Sequence, residues 1–257
     1  MVGHLEIVQL PVLHDNYIYL IHEPGSGATA VVDPAVPDVP LQAAAERGWT
    51  ITHILNTHHH MDHVGGNMAI KEATGCTIVG PGPDNERIPG IDVQVNDGDV
   101  FSFGEAQADI FFTPGHTRGH IVYWFSQDAA LFCGDTLFAM GCGRLFEGSP
   151  EQMWTSLQKL LALPDDARVF CAHEYTQANG AFALSVEPQN AALQARMEHV
   201  KALRVQGLPT VPSTMGDEKE TNPFLRPTSV HLRETIGLPS ASDVDVFAKT
   251  RALKDQF

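Results

Sequence analysis

The chain has 257 residues, 43% of them hydrophobic, and carries a formal net charge of −15 from 16 basic against 31 acidic side chains. That length allows one large domain or a domain with an appendage, and the acidic balance excludes a general nucleic-acid or anionic-membrane surface, which needs clustered Lys and Arg. No stretch approaches the ~18 apolar residues that span a bilayer, and Met1-Val2-Gly3-His4 opens no basic region followed by a long apolar one, so the expected location is the cytoplasm, or an organelle matrix after loss of a transit peptide.

Taken in order, Leu5–Leu10, Tyr17–Ile21 and Ala28–Val32 read as short strands separated by Pro, Asp, Asn and Gly, the pattern of a meander. Asp33-Pro34 closes the third, and residues 37–47 read as an amphipathic helix stopped by Gly48. A strand through Leu55, a histidine-rich loop, a helix over about 66–74 and a strand at Thr77–Val79 follow. The Pro/Gly-dense stretch 80–90 reads as a surface loop without chemistry. Strands are expected at Val100–Phe103, Ala108–Thr113, Ile121–Phe125 and Ala130–Cys133, a density too high for a βαβ array. Ser149-Pro150-Glu151-Gln152 has an N-cap, a first-turn proline and a capping-box glutamine, and so starts a helix that runs through Leu161. Residues 167–171 form the last expected strand. Beyond Tyr175 the chain reads as helix and loop, with helices at 188–205 and from Ser242 to the C-terminus, and a polar loop at 216–223. The switch near residue 174 is the domain boundary, giving 1–173 and 174–257.

The segment Thr57-His58-His59-His60-Met61-Asp62-His63 has H-x-H-x-D-H spacing. Imidazole and carboxylate are ligand types for zinc and comparable first-row metals, and this crowding is an odd choice for an ordinary turn. A two-metal centre needs about six or seven protein donors, one of them a carboxylate able to bridge, so His58, His60, Asp62 and His63 are an incomplete set. His116, Asp135 and His173 each follow a predicted strand and complete it. Asp33 is either a turn-capping carboxylate or the orienter of a metal-binding histidine, since ligand imidazoles usually donate their second N–H. The four cysteines contain no C-x-x-C pair and read as reduced buried thiols; Cys133 and Cys171, two residues before Asp135 and His173, keep a minor reading as thiolate ligands.

H-x-H-x-D-H followed by His in Gly-His-Thr, Asp in Gly-Asp-Thr and a later His resembles the metallo-β-lactamase superfamily. Within it, Thr-His-His-His-x-Asp-His-x-Gly-Gly-Asn, Gly-Cys-Gly-Arg-Leu-Phe-Glu-Gly, His-Glu-Tyr-Thr, Asn-Pro-Phe-Leu-Arg and the terminal Lys-Asp-Gln-Phe resemble the glyoxalase II (hydroxyacylglutathione hydrolase) family over nearly the full length. The resemblance implies an α+β fold, a four-layer αββα sandwich with a C-terminal helical domain. It implies two divalent metal ions, zinc foremost with iron or manganese as alternatives. His58, His60 and His116 would hold one, Asp62, His63 and His173 the other, and Asp135 would bridge, with His59 turned away and His53 and His120 structural. The implied reaction, the second step of methylglyoxal detoxification, hydrolyses S-D-lactoylglutathione or other S-2-hydroxyacylglutathiones. A hydroxide between the metals would attack the thioester, and Asp62 and Asp135 would be the catalytic carboxylates.

Glutathione brings two carboxylates, and the family pattern supplies cations for them in Arg144, Arg251 and Lys254. It adds Tyr175 as a hydrogen-bond donor to the glutathione backbone, His173 beside it, and Phe146 and Cys142 as pocket walls. By spacing alone Arg251 and Lys254 would be a solvated helix face. The family commonly has Lys at position 144 and Tyr at 146, so Phe146 loses a hydroxyl donor and weaker glutathione binding is expected. The expected partner is a small glutathione thioester, with no nucleic acid and no membrane, and the expected state is a monomer. The rival readings are another hydrolase of the superfamily or a glutathione persulfide dioxygenase and, in a different class, a metal-binding scaffold without hydrolytic activity.

Overall fold

The computed structural model describes residues 5–257; residues 1–4, whose sequence entered the expectation about location, lie outside the described residues. The described residues divide into two compact units, residues 5–112 with 118–134, and residues 113–117 with 135–257.

In the first unit, strands β1 (Glu6–Val12), β2 (Asn16–Glu23), β3 (Ala28–Val32), β4 (His53–Leu55), β5 (Thr77–Pro81) and β6 (Val93–Val95) form one sheet in that order. The first three pair antiparallel, as a meander should. From β3 onward the pairing is parallel, in the register Val32 to Leu55 and Leu55 to Val79. Helix α1 (Asp38–Glu46) crosses between β3 and β4, and α2 (Met61–Val64) and α3 (Asn67–Thr74) cross between β4 and β5. A short βαβ run is therefore present from β3 to β5, in the order of strands and helices read there from the sequence; the strand density that argues against a βαβ array belongs to residues 100–133. Ala43, Ala44 and Ile70 of α1 and α3 pack on Ile18, Leu20, Val31, Ile54 and Ile78 of the sheet. Each of the isoleucine, leucine and valine side chains contributes roughly 1.5–3 kcal/mol when fully buried.

The same unit contains an antiparallel run β7 (Val100–Phe103), β8 (Ala106–Phe112), β9 (Ile121–Phe125) and β10 (Ala130–Gly134). Its inner face meets the first sheet through Tyr19 edge-on to Phe132 at 5.5 Å and His53 edge-on to Phe103 at 5.5 Å. The fully buried Tyr123 donates its hydroxyl to the carbonyl of Asn56 at 3.0 Å, which ties β9 to the end of β4. Aromatic bodies with one satisfied polar tip suit such a sheet-on-sheet seam.

The second unit holds the two-residue strands β11 (Leu137–Phe138) and β12 (Gly141–Cys142), helix α4 (Pro150–Leu161), and β13 (Arg168–Cys171) paired with β14 (Ser213–Thr214). Helices α5 (Thr176–Val186), α6 (Ala191–Val205), α7 (Met215–Thr221), α8 (Val230–Thr235) and α9 (Asp243–Asp255) complete it. The predicted capping box at α4 is present: Ser149 Oγ accepts from Gln152 N, and Gln152 Oε1 accepts from Ser149 N at 2.9 Å. Met197 is core, packed with Met140, Ala183, Leu193 and Val200. Two expectations fail locally. The polar stretch 216–223 is mostly helix α7, because Thr214 and Asp217 form a second capping box, and β14 adds a strand beyond residue 175.

Candidate metal centre

Four of the seven predicted donors belong to the first unit and three to the second. In the first, the loop leaves β4 and enters α2, and Gly65-Gly66 is needed just after it. Gly66 N donates to Pro34 O at 2.7 Å, and a Cβ at Gly66 would lie within 2.9–3.0 Å of the Pro34 and Val36 backbone, which nothing flexible can relieve. This close approach brings the turn after β3 under the donor loop.

Asp33, buried and in the left-handed region at φ 49°, sits at that turn. Asp is among the few side chains that tolerate this backbone. Its Oδ1 accepts from Thr57 N at 2.8 Å, and its Oδ2 accepts from Thr57 Oγ1 at 2.7 Å and from His63 Nδ1 at 3.1 Å. Both sequence readings of Asp33 are therefore true at once: it caps the loop and it orients a histidine. Because a carboxylate only accepts, the proton of His63 is on Nδ1 and the lone pair on Nε2. Thr57 Oγ1 spends its own proton on Asp33, so at 3.0 Å it accepts from His58 Nδ1, and His58 likewise presents Nε2.

The presented atoms fall into pairs. His58 Nε2 faces His60 Nδ1 at 3.1 Å, and His63 Nε2 faces Asp62 Oδ2 at 3.6 Å. Asn16 Nδ2 donates to Asp62 Oδ2 at 3.1 Å, and Asn56 Nδ2 donates to the His63 carbonyl at 3.0 Å while pairing with Asn67. His120, fully buried, stacks on His58 at 4.7 Å.

In the second unit, Asp135 presents Oδ2 to His116 Nε2 and Oδ1 to His173 Nε2, each at 3.4 Å. His116 Nδ1 donates to the Arg144 carbonyl at 2.9 Å, which leaves its Nε2 as the lone-pair nitrogen. Thr136 Oγ1 bonds Thr113 Oγ1 at 3.0 Å, and Ser156 of α4 donates to Pro114 O at 2.7 Å, so the residues flanking Asp135 and His116 are held to one another and to a helix.

Two donors about 2.0–2.1 Å from one tetrahedral zinc ion lie roughly 3.3–3.4 Å apart. The four within-unit pairs, at 3.1–3.6 Å, match that spacing, and Asp135 offers one oxygen to each of two imidazoles as a bridging carboxylate would. The side chains therefore fit divalent metal ions without rearrangement within either unit. Among the described residues, none of the three-residue donor groups includes a thiol. Burial pushes the Cys171 thiol up to about 12, and its Sγ is turned to the His173 carbonyl.

His59 departs from its neighbours: its ring nitrogens engage Asp84 Oδ2 and Arg87, each at 3.0 Å. The loop at 80–90, read as chemically empty, thus supplies a fully buried carboxylate against the donor loop. No local signal marks it, because Pro and Gly density says nothing of burial.

Of the predicted substrate residues, Arg144 is exposed and Phe146 is 62% exposed, its ring 5.2 Å from His116. Tyr175 stacks flat on His173 at 4.7 Å and 2°. Arg251 is buried: it donates to the Cys142 carbonyl at 2.8 Å, pairs with Asp255 at 3.0 Å and covers the Phe224 ring at 4.9 Å. Lys254 is half-buried, donates to Ala178 O at 3.0 Å and lies over Phe182 and Phe257. Burial first, then the charges of Arg251 and Arg144, pushes the Lys254 ammonium below its usual range, so the three cations share one electrostatic neighbourhood.

Residues 13–173 match the metallo-β-lactamase superfamily model, which makes this a metallo-β-lactamase-fold protein. Residues 174–257 match the model described as hydroxyacylglutathione hydrolase C-terminus. The chain is 62% identical to the hydroxyacylglutathione hydrolase of Methylococcus capsulatus (98% of this chain, 99% of the relative) and 57% identical to that of Rhodospirillum rubrum with the same coverage. A crystal structure of ETHE1 from Myxococcus xanthus superposes with a TM-score of 0.68 at 27% identity, over 97% of this chain and 99% of that one. The chain belongs to the hydroxyacylglutathione hydrolase family.

Proposed function

We propose that this protein hydrolyses S-D-lactoylglutathione to D-lactate and glutathione, using His58, His60 and His116 for one divalent metal, Asp62, His63 and His173 for the other, and Asp135 for both. The observation that carries the reading is the set of four donor pairs at metal-ligand spacing, in a chain whose relatives at 57–62% identity bear the hydrolase name over their whole length. When bound, the metals would supply Lewis-acid polarisation of the thioester carbonyl and a water acidified towards neutral pH. The chain's own contribution is orientation. Asp33 and the Arg144 carbonyl keep protons on the Nδ1 atoms of His63 and His116, so these imidazoles meet cations as neutral ligands. The thiolate leaving group, with an ordinary thiol pKa near 8.5, departs without a strong general acid, in keeping with a site built from ligands.

Arg144 and Lys254 meet the glutathione carboxylates in this reading, Arg251, which the family pattern also offers, stands beside them with its donors already engaged by the Cys142 carbonyl and Asp255, and Tyr175 and Phe146 line the same substrate site. The cationic neighbourhood around Lys254 supports it, because a chain of net charge −15 gathers three cations there with Asp255 as their acidic neighbour. Residues 1–173 would carry the metals and 174–257 would hold the substrate. We assign zinc to both sites, a monomer and a cytoplasmic location; four buried free cysteines, and the absence among the described residues of any helix long and apolar enough to cross a membrane, agree with the last. The dioxygenase alternative is not favoured, since the tail matches the hydrolase C-terminal model. The test is the loss of thioester absorbance by purified protein of measured metal content, with oxygen uptake followed in parallel. Thioester loss without oxygen uptake is expected, and no turnover at two metals per chain would overturn the proposal.

A further inference from the structure

His59 stands between two proposed ligands yet has its own partners, and those partners are unusually committed. The Asp84 side chain has no solvent exposure. Its Oδ2 meets His59 Nδ1 at 3.0 Å, while its Oδ1 takes Arg87 Nε at 2.7 Å and Arg87 Nη2 at 2.6 Å and lies 3.6 Å from Arg118 Nε. Arg87 Nη1 also reaches His59 Nε2 at 3.0 Å. A guanidinium only donates, so His59 Nε2 holds the lone pair and the Nδ1 proton goes to Asp84. Both ring nitrogens are thereby satisfied by one ion pair, whose carboxylate is fully buried and whose guanidinium is partly exposed. Gly119 lies against the Asp84 side chain, and a Cβ there would run into it, so the backbone of 118–120 walls the carboxylate in.

The second donor pair has different tethers. Asp62 is held by Asn16, and His63 by Asn56 and Asp33, none of which touches Asp84 in the contacts described above. His58 and His60, by contrast, flank His59 directly, and their nitrogens must stay 3.1 Å apart to share one ion. Anchoring the residue between them fixes the backbone from which both project.

We infer that Asp84, acting through His59, is a positioning residue for the metal held by His58 and His60, and not for the metal held by Asp62 and His63. The inference rests on the two-metal reading above. A carboxylate that reaches a ligand pair through an intervening side chain belongs with the outer partners whose loss costs roughly 10–100-fold in metal affinity. Two metals per chain would still bind at saturation, because no ligand is removed.

The experiment titrates demetallated protein with Zn²⁺ against a chromophoric chelator and resolves the two binding steps in wild type, His59→Ala, Asp84→Asn and the double variant. Each single variant is expected to weaken one step by roughly tenfold and leave the other within about twofold, with the double variant no worse than either single, since both break the same tether. Equal weakening of both steps, no weakening, or additive single effects would overturn the inference. If Asp84→Asn does not fold, His59→Ala decides alone by whether its loss falls on one step. Failure of the wild type to bind two ions would instead overturn the metal reading itself.

Discussion

The donor loop at 57–63 and the terminal helix α9 both hold polar groups in buried surroundings, but they use burial for opposite ends. Around the loop, Asp33 holds Thr57 and His63, Thr57 in turn holds His58 Nδ1, Asn56 holds the His63 carbonyl and Asn16 holds Asp62 Oδ2, while His58 Nε2 faces His60 Nδ1 and His63 Nε2 faces Asp62 Oδ2. In α9 the guanidinium of Arg251 is largely consumed by the Cys142 carbonyl, Asp255 and the Phe224 face, and only its Nε has no hydrogen-bond partner. A ligand shell of this kind is set before its ion arrives. A recognition cation so engaged already serves the fold, so substrate carboxylates would rely more on the exposed Arg144 and half-buried Lys254.

The largest expected effect tests the metal side of that contrast. Asp135→Ala should lower kcat/KM by roughly a thousandfold or more, about 4 kcal/mol of transition-state stabilisation, and leave fewer than two metals per chain by elemental analysis. Retained metal with only a raised KM would remove Asp135 from between the ions. Next comes Asp33→Asn, which should cut metal affinity by roughly 10–100-fold without changing the ligand set, read by chelator competition; an unchanged affinity would mean that the loop needs no preset protons.

The cations should then separate. Lys254→Met and Arg144→Met should raise KM several-fold at constant kcat, whereas Arg251→Met should chiefly lower thermal stability, by about 1–3 kcal/mol, through loss of its buried partners. Equal KM effects from all three would show that Arg251 is available to substrate after all.

The smallest effect lies far from the site. The Ser26 hydroxyl, and with it the backbone N–H groups of Glu105, Ser26 and Gly25, hold the Glu23 carboxyl down at about 2 against the opposing effect of burial. Its folded pKa is below its ordinary 4.5, so its contribution is present above about pH 4.5 and fades as pH falls towards 2. Glu23→Gln should be less stable than wild type near neutral pH, and the gap in denaturation midpoint should close on acidification; a gap independent of pH would sink the assignment.

Some of this was legible locally and some was not. Helix α4 could be read because Ser149, Pro150 and Gln152 are a self-contained start signal, and the donor loop because its four donors are within six residues of one another. The two- and three-residue strands β6, β11, β12 and β14 exist only by pairing and have too few residues for a periodicity. The parallel order of β3, β4 and β5 was missed for a related reason: side-chain alternation records that a strand is half-buried, not which way its neighbour runs.

By itself, then, the sequence determined the donor types, their spacing and the family, because metal chemistry selects His and Asp by identity and the motifs span the chain. Only the tertiary structure decided that Asp33 both caps and orients, that His59 is anchored by Asp84, and that Arg251 is buried. Those outcomes depend on which groups lose water together, and hydrogen-bond partners 24–30 residues apart, as Asp33 is from Thr57 and His63, leave no periodicity to read.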